Sequence, residues 1–327
     1  MAVIEAVGLG KRYGDRAAVI NLSFRVDPGS VTGFLGPNVS GKSTTMRLML
    51  GLDNGDGRTT FDGQEFRELT YPMRSVGALL EAKAFHPTRK ARNHLRLLAA
   101  ANNIPDTRVD EVMSMVGLHS VALDKPRKFS LGMGQRLGIA AALLGDPHTL
   151  ILDEPANGLD PQGITWLRNL LKQLAGEGRS VLVSSHLLSE MALLADHLVV
   201  IGRGQLIANV AVADFIGANS RTSITVRSPD MHVLGPALAD RGAYAHPGPD
   251  GTYVVSGVTQ EEVGDVARDV GARVHELMTR RATLEEAFLD VTGRSEEFVG
   301  STQQRPVLPP SSGSWQPPAG PAESGGR

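Results

Sequence analysis

Nine residues, "GPNVSGKST" at 36–44, carry the first chemical signal. Gly36, Gly41, Lys42 and Ser43 fall at the spacing G-x-x-x-x-G-K-[ST], which lets successive backbone N–H groups turn toward one anion. Chemistry of that kind is phosphate binding: Lys42 reaches the outer phosphates and the Ser43 hydroxyl ligates magnesium. The second signal is "LILDEPANGLD" at 150–160, an apolar run ending in two acids. Asp153 is placed to hold magnesium at a strand end, and Glu154 to orient or deprotonate the attacking water. Taken singly, a glycine-rich turn with a solvated lysine, or two acids in a solvated turn, is the plain alternative. Their occurrence together favours nucleotide chemistry.

These residues need an α/β frame. "VTGFLG" reads as a strand running into the loop, and "KSTTMRLMLGL" as the helix after it, stopped at Gly51. "VIEAVGL" and "NLSFRV" read as earlier strands around the turn "DPGS". From about Pro87 to Gly145, apolar residues recur at three- and four-residue steps, which predicts a helical insertion over about 85–145. "TLILDEP" and "SVLVSSH" are continuous apolar runs suited to strands buried on both faces, with a helix between them, and so predict a parallel sheet. From about 219 to 295, short strand-like and helical runs alternate as a small α+β domain. The stretch 300–327, rich in Pro, Ser and Gly, is expected to be disordered.

The 327 residues suffice for more than one domain, and a multi-domain soluble protein is the expectation. A formal charge of -2 supplies no basic field, so no nucleic acid is expected as a partner. The absence of cysteine excludes thiol catalysis, thiolate metal sites and disulfides, and fits a reducing compartment. Glu5 and the lack of an apolar core make the first residues unlike a signal peptide. "LGIAAALL" and "ADHLVVIG" are far shorter than a membrane span of about 20 residues.

With "SLGMGQR" and "VLVSSH" added in that order, residues 1–215 resemble the ATP-binding subunits of ABC transporters. The resemblance implies a P-loop NTPase domain with a parallel-sheet core, an antiparallel β subdomain and a helical subdomain, together with the small C-terminal α+β domain. It implies ATP and Mg2+ as ligands, with Gly36, Pro37, Asn38, Val39, Ser40, Gly41, Lys42, Ser43 and Thr44 on the phosphates and Tyr13 stacked on adenine. In the same scheme Ser130 and Gly132 close on nucleotide held by the opposite copy of a head-to-tail homodimer, and Asp160 communicates across that dimer. His186 acts as the switch on the γ-phosphate, and Glu81 stands where a glutamine commonly meets metal and permease. Glu81, Leu131 and Met133 depart from the usual pattern in the manner of the daunorubicin and bacitracin resistance branch, as does "TLEEAFLDVTG" near the end.

The implied function is ATP hydrolysis driving export of a drug or antibiotic through a separate permease, from the cytoplasmic face of the membrane. A non-transport ABC ATPase, or a regulatory module without hydrolysis, is the alternative. Val39 motivates the latter, because it stands where glycine is usual. At negative φ a valine there costs little; at positive φ it costs roughly 1–3 kcal/mol.

Overall fold

The computed structural model describes residues 3–81, 84–219, 223–280 and 283–292. The stretch 300–327 lies outside them, as do 293–295 at the end of the expected C-terminal domain. The chain divides into two compact units, the second formed by Ile216–Ala287.

The first unit opens with β1 (Ile4–Tyr13) and β2 (Arg16–Val26), an antiparallel pair whose inward residues Ile4, Ala6, Leu22, Phe24 and Val26 alternate with exposed ones. That period of two covers one face only. Strand β3 (Ser30–Leu35) is buried along nearly its whole length and feeds the 36–41 loop and α1 (Lys42–Met49). Next come β4 (Asp56–Phe61), which pairs with β1, and β5 (Gln64–Glu65), which completes a sheet of order β2-β1-β4-β5. A single turn, α2 (Pro72–Ser75), precedes β6 (Val76–Leu79).

The helical insertion contains α3 (Ala91–Ala101), α4 (Asp106–Met115) and α5 (Leu131–Leu143). Then β7 (Thr149–Leu152), α6 (Pro161–Gly176), β8 (Ser180–Ser184), α7 (Leu188–Leu194) and β9 (His197–Gly202) alternate as the apolar runs require. Strand β10 (Gln205–Ala211) turns back on β9. The second sheet runs β10-β9-β3-β8-β7-β6, parallel from β9 to β6 with β10 antiparallel at one edge. Each fully buried Leu, Ile or Val of these strands contributes about 1.5–3 kcal/mol. Helix α8 (Val212–Asn219) follows.

The second unit comprises β11 (Ser223–Arg227), α9 (Met231–Ala239), β12 (Tyr244–Pro247), β13 (Tyr253–Ser256), α10 (Gln260–Asp269) and β14 (Glu276–Arg280). Its antiparallel sheet has the order β12-β13-β11-β14, and Ile224, Val226 and Val255 pack with Leu234, Leu238, Val263 and Val266 of its helices. Helix α11 (Leu284–Thr292) ends the described chain.

Candidate functional site

The loop after β3 is positioned by its carbonyls and amides. Ser40 N–H donates to the Pro37 carbonyl, and the Ser40 carbonyl accepts from Gly204 N–H, which ties the loop to the β9–β10 turn. Gly41 sits at φ 105°, and a Cβ there would lie 2.4 Å from the Ala18 carbonyl oxygen, so only glycine fits. Val39 sits at φ 68° with 75% of its surface exposed. This decides the question left by the sequence: a β-branched side chain occupies the left-handed region and packs against little, so its strain is uncompensated.

Helix α1 begins at Lys42 with no side-chain cap and no acid in its first turn. Among the described residues, the N–H groups of Lys42, Ser43 and Thr44 have no acceptor; the first bond of the helix is Thr45 N–H to the Gly41 carbonyl, at 2.8 Å. Unpaired amides at a helix start favour an anion. Lys42, buried behind them, donates from Nζ to the carbonyls of Gly36 at 2.7 Å and Pro37 at 3.2 Å. Burial pushes its pKa below the usual lysine range, opposed by the nearby carboxylates of Glu154 and Asp153. A buried ammonium held only by carbonyls gains from a phosphate, which returns the charge partner that burial removed.

The acids come from the end of β7. Parallel pairing of Leu152 with Val183 brings Asp153 and Glu154 beside Ser184. The Ser184 hydroxyl donates to Asp153 Oδ1 at 2.5 Å and accepts from Glu154 N–H at 2.8 Å. Glu154 adopts φ 49°, and its Oε2 lies 2.7 Å from His186 Nδ1 and accepts from His186 N–H at 3.3 Å. The buried Gln135 of α5 donates to the Glu154 carbonyl at 3.2 Å. Ser184 and Gln135 carried no role in the sequence reading. Ser184 lay inside the quoted "VLVSSH", but its importance follows only from the β7–β8 register.

Tyr13, Arg16, Ala18, Asn38, Val39, Gly41, Lys42, Ser43, Thr44, Asp153 and Glu154 line one cavity of about 470 Å3. Phosphate loop, acids and Tyr13 therefore meet in one place. Tyr13 is half exposed, and its hydroxyl donates to Asp53 Oδ2 at 3.1 Å. The other predicted residues lie outside that lining. Ser130 caps α5, its Oγ accepting from Met133 N–H, and it lines a separate groove of about 330 Å3 with Phe85, Pro87, Arg127 and Phe129. Gly132 is in the first turn of α5. Asp160 caps α6 by accepting from Gly163 N–H at 2.9 Å. Glu81 is exposed beyond β6, and its charge reaches Arg47.

The ABC transporter family model matches residues 19–157, and a model of a domain of unknown function, DUF8746, matches 222–285. The ABC transporter ATP-binding protein YdbJ of Bacillus subtilis, itself uncharacterised, is 35% identical over 90% of this chain and 97% of its own length. The chain belongs to the ABC transporter ATP-binding proteins. A second relative of this ATPase subunit is the bacitracin transport ATP-binding protein BcrA of Bacillus licheniformis, 41% identical over 64% of this chain and 69% of its own. A solved ATP-binding subunit of an ABC transporter superposes with a TM-score of 0.61 at 26% identity, covering 66% of this chain and 92% of that one. The fold is thus the P-loop cassette, and the family's activity is ATP hydrolysis.

The residues present fit ATP and magnesium. Free amides and a buried lysine suit the phosphates. Among the described residues no three His, Asp or Glu side chains converge on one point, so magnesium would draw most of its ligands from phosphate and water.

Proposed function

We infer that two copies of this ATPase subunit pair head to tail and drive export of an antibiotic-like or drug-like amphipathic compound through a separate membrane permease. The observation that carries the pairing is the lining of the cradle: Lys42, Ser43 and Asp153 share it, whereas Ser130 is on a different groove of the same copy. A cradle served by Ser130 and Gly132 must then borrow them from a second copy, with Asp160 close to the seam.

In this reading Lys42 leaves the Gly36 and Pro37 carbonyls for the outer phosphates, and the α1 amides take the phosphate oxygens. Ser43 and Asp153 would hold magnesium, which would supply charge neutralisation at the phosphates. Glu154 aligns a water with the γ-phosphorus and accepts its proton as the bond to the β-phosphate oxygen breaks. His186 holds the Glu154 carboxylate in place, Tyr13 stacks on adenine, and Pro37, Asn38, Ser40 and Thr44 complete the loop. Closing and reopening of the pair transmits work.

Among the described residues no helix is long and apolar enough to cross a membrane; in this reading the work is handed to a separate permease. The groove of Phe85, Pro87, Arg127 and Phe129, with Glu81 nearby in sequence, supports a permease seat on this side of the subunit, and in this reading the subunit works at the cytoplasmic membrane face. Similarity to BcrA favours an exported antibiotic over a nutrient.

Phosphate release by the purified protein tests the pairing. Specific activity should rise with protein concentration, and Ser130→Arg should remove turnover while MgATP still binds. Activity per molecule that is constant on dilution, and indifferent to Ser130→Arg, would contradict it.

A further inference from the structure

The helical subdomain has two populations of cations. Arg92 is bonded to Asp110 and Asp106, Arg96 to Asp106, and Arg108 to Glu111 and Asp146. Arg136 donates to the Val116 carbonyl and lies 4.3 Å from the Trp166 ring. By contrast Arg89, Lys90, Lys125, Arg127 and Lys128 have no hydrogen-bond or ion-pair partner for their side chains among the described residues, although Arg89 alone is half-buried and the other four are exposed.

The second population is one surface. The Pro87 carbonyl accepts from Arg127 N–H at 3.1 Å, the Asp124 carbonyl from Ala91 N–H at 2.9 Å, and the Ala122 carbonyl from Arg92 N–H at 2.9 Å. Residues 87–92 and 122–128 therefore run side by side. Against five unpaired cations they carry one unpaired acid, Asp124, so the patch is strongly positive on a chain whose formal charge is -2. Leu123 stands in it, 65% exposed. The patch also borders the groove that holds Arg127, Pro87 and Phe129.

We propose that this rim binds the anionic phospholipid headgroups of the bilayer beside the permease. The inference rests on the reading of the adjoining groove as the permease seat, since a permease emerges from the bilayer and the surface flanking its seat faces lipid. The chemistry is that of a juxtamembrane basic cluster: exposed, unpaired Lys and Arg on short loops need no shaped pocket to be attracted to anionic headgroups, and an exposed leucine adds shallow apolar contact. The remainder of the chain, net negative, is repelled, so the attraction also orients the subunit.

Flotation of the full chain with vesicles tests this without permease or nucleotide, so its failure leaves the ATPase reading standing. Binding is expected to vesicles containing phosphatidylglycerol, to be absent with phosphatidylcholine alone, and to be released by about 0.5 M salt. Lys125→Gln with Lys128→Gln should weaken partitioning by about tenfold or more, while the matched pair Arg58→Gln with Lys172→Gln leaves it unchanged. MgATP turnover of both double variants should equal that of the parent, which shows that they fold. Equal binding to both vesicle types, no binding to either, or equal loss in the two double variants would each overturn the proposal.

Discussion

The phosphate loop and the second unit treat polar groups in opposite ways. In the second unit they satisfy one another. Asp230 accepts from Arg273 through N–H, Nε and Nη2, and Thr259 and Glu262 form a reciprocal cap on α10. Around residues 36–44 the same kinds of group are left wanting: among the described residues, three helix-start amides are unpaired, Ser40 Oγ is buried with no partner, and a lysine ammonium is held only by carbonyls. Val39 in that loop and Glu154 across the cavity stand at positive φ, as does Asp250 in a turn of the second unit, where a short acidic side chain tolerates it. A region that completes its own bonds serves as structure, whereas one that holds donors open against strain is prepared for a ligand.

Substitutions can break this contrast, and the largest effect belongs to the open region. Lys42→Ala should lower phosphate release by about 100-fold to 1,000-fold or more, because it removes the buried cation of the cradle. A colorimetric phosphate assay with and without magnesium reads this directly, and near-parental turnover would deny Lys42 its role. Ser184→Ala should cost about tenfold in turnover, since Asp153 loses its donor and the Glu154 amide its acceptor. Nucleotide affinity should change far less in that variant, so single-turnover kinetics would separate the two.

Val39→Gly works in the other direction. Relief of the left-handed valine, less the added freedom of an unfolded glycine, should stabilise the protein by about 1 kcal/mol. MgATP should bind about fivefold more tightly, as equilibrium titration would show. The smallest effect should fall on the closed region. Arg273 holds the Asp230 carboxyl well below its ordinary range, chiefly by side-chain and then backbone hydrogen bonds. A depressed carboxylate pKa gives stability that is present above the unfolded value, about 4, and is lost as pH falls below it. Asp230→Asn should thus reduce the thermal midpoint of the second unit at neutral pH and flatten its acid dependence, with ATP turnover unchanged.

The open region was the more legible of the two in the sequence. Phosphate-binding backbone constrains residue types tightly, so Gly36, Gly41, Lys42 and Ser43 announce themselves, and Asp153 follows from its place at the end of an apolar strand. The elements that support them announced themselves less. Strand β6, "VGAL", is too short for a pattern, and its Gly77 looks like a loop residue; in the sheet a Cβ there would lie 2.1 Å from the Ala142 carbonyl oxygen. Strand β12 contains a proline and is an edge, and Pro236 lies inside α9, where local rules argue against a helix. Ser184 and Gln135 are ordinary polar residues until tertiary register sets them against Glu154. Val39 was undecidable in principle, because sequence permits both signs of φ and only the closed loop selects one.

In the proposed pairing, the grip on a triphosphate begins in one copy and is completed by another. It is tested most directly by the solution mass of the Glu154→Gln variant in MgATP, from light scattering behind a sizing column. With hydrolysis blocked and the cradle filled, the mass should be that of a dimer, returning to that of a monomer when nucleotide is removed. A variant that remains monomeric in saturating MgATP, with turnover like that of the parent, would contradict the account.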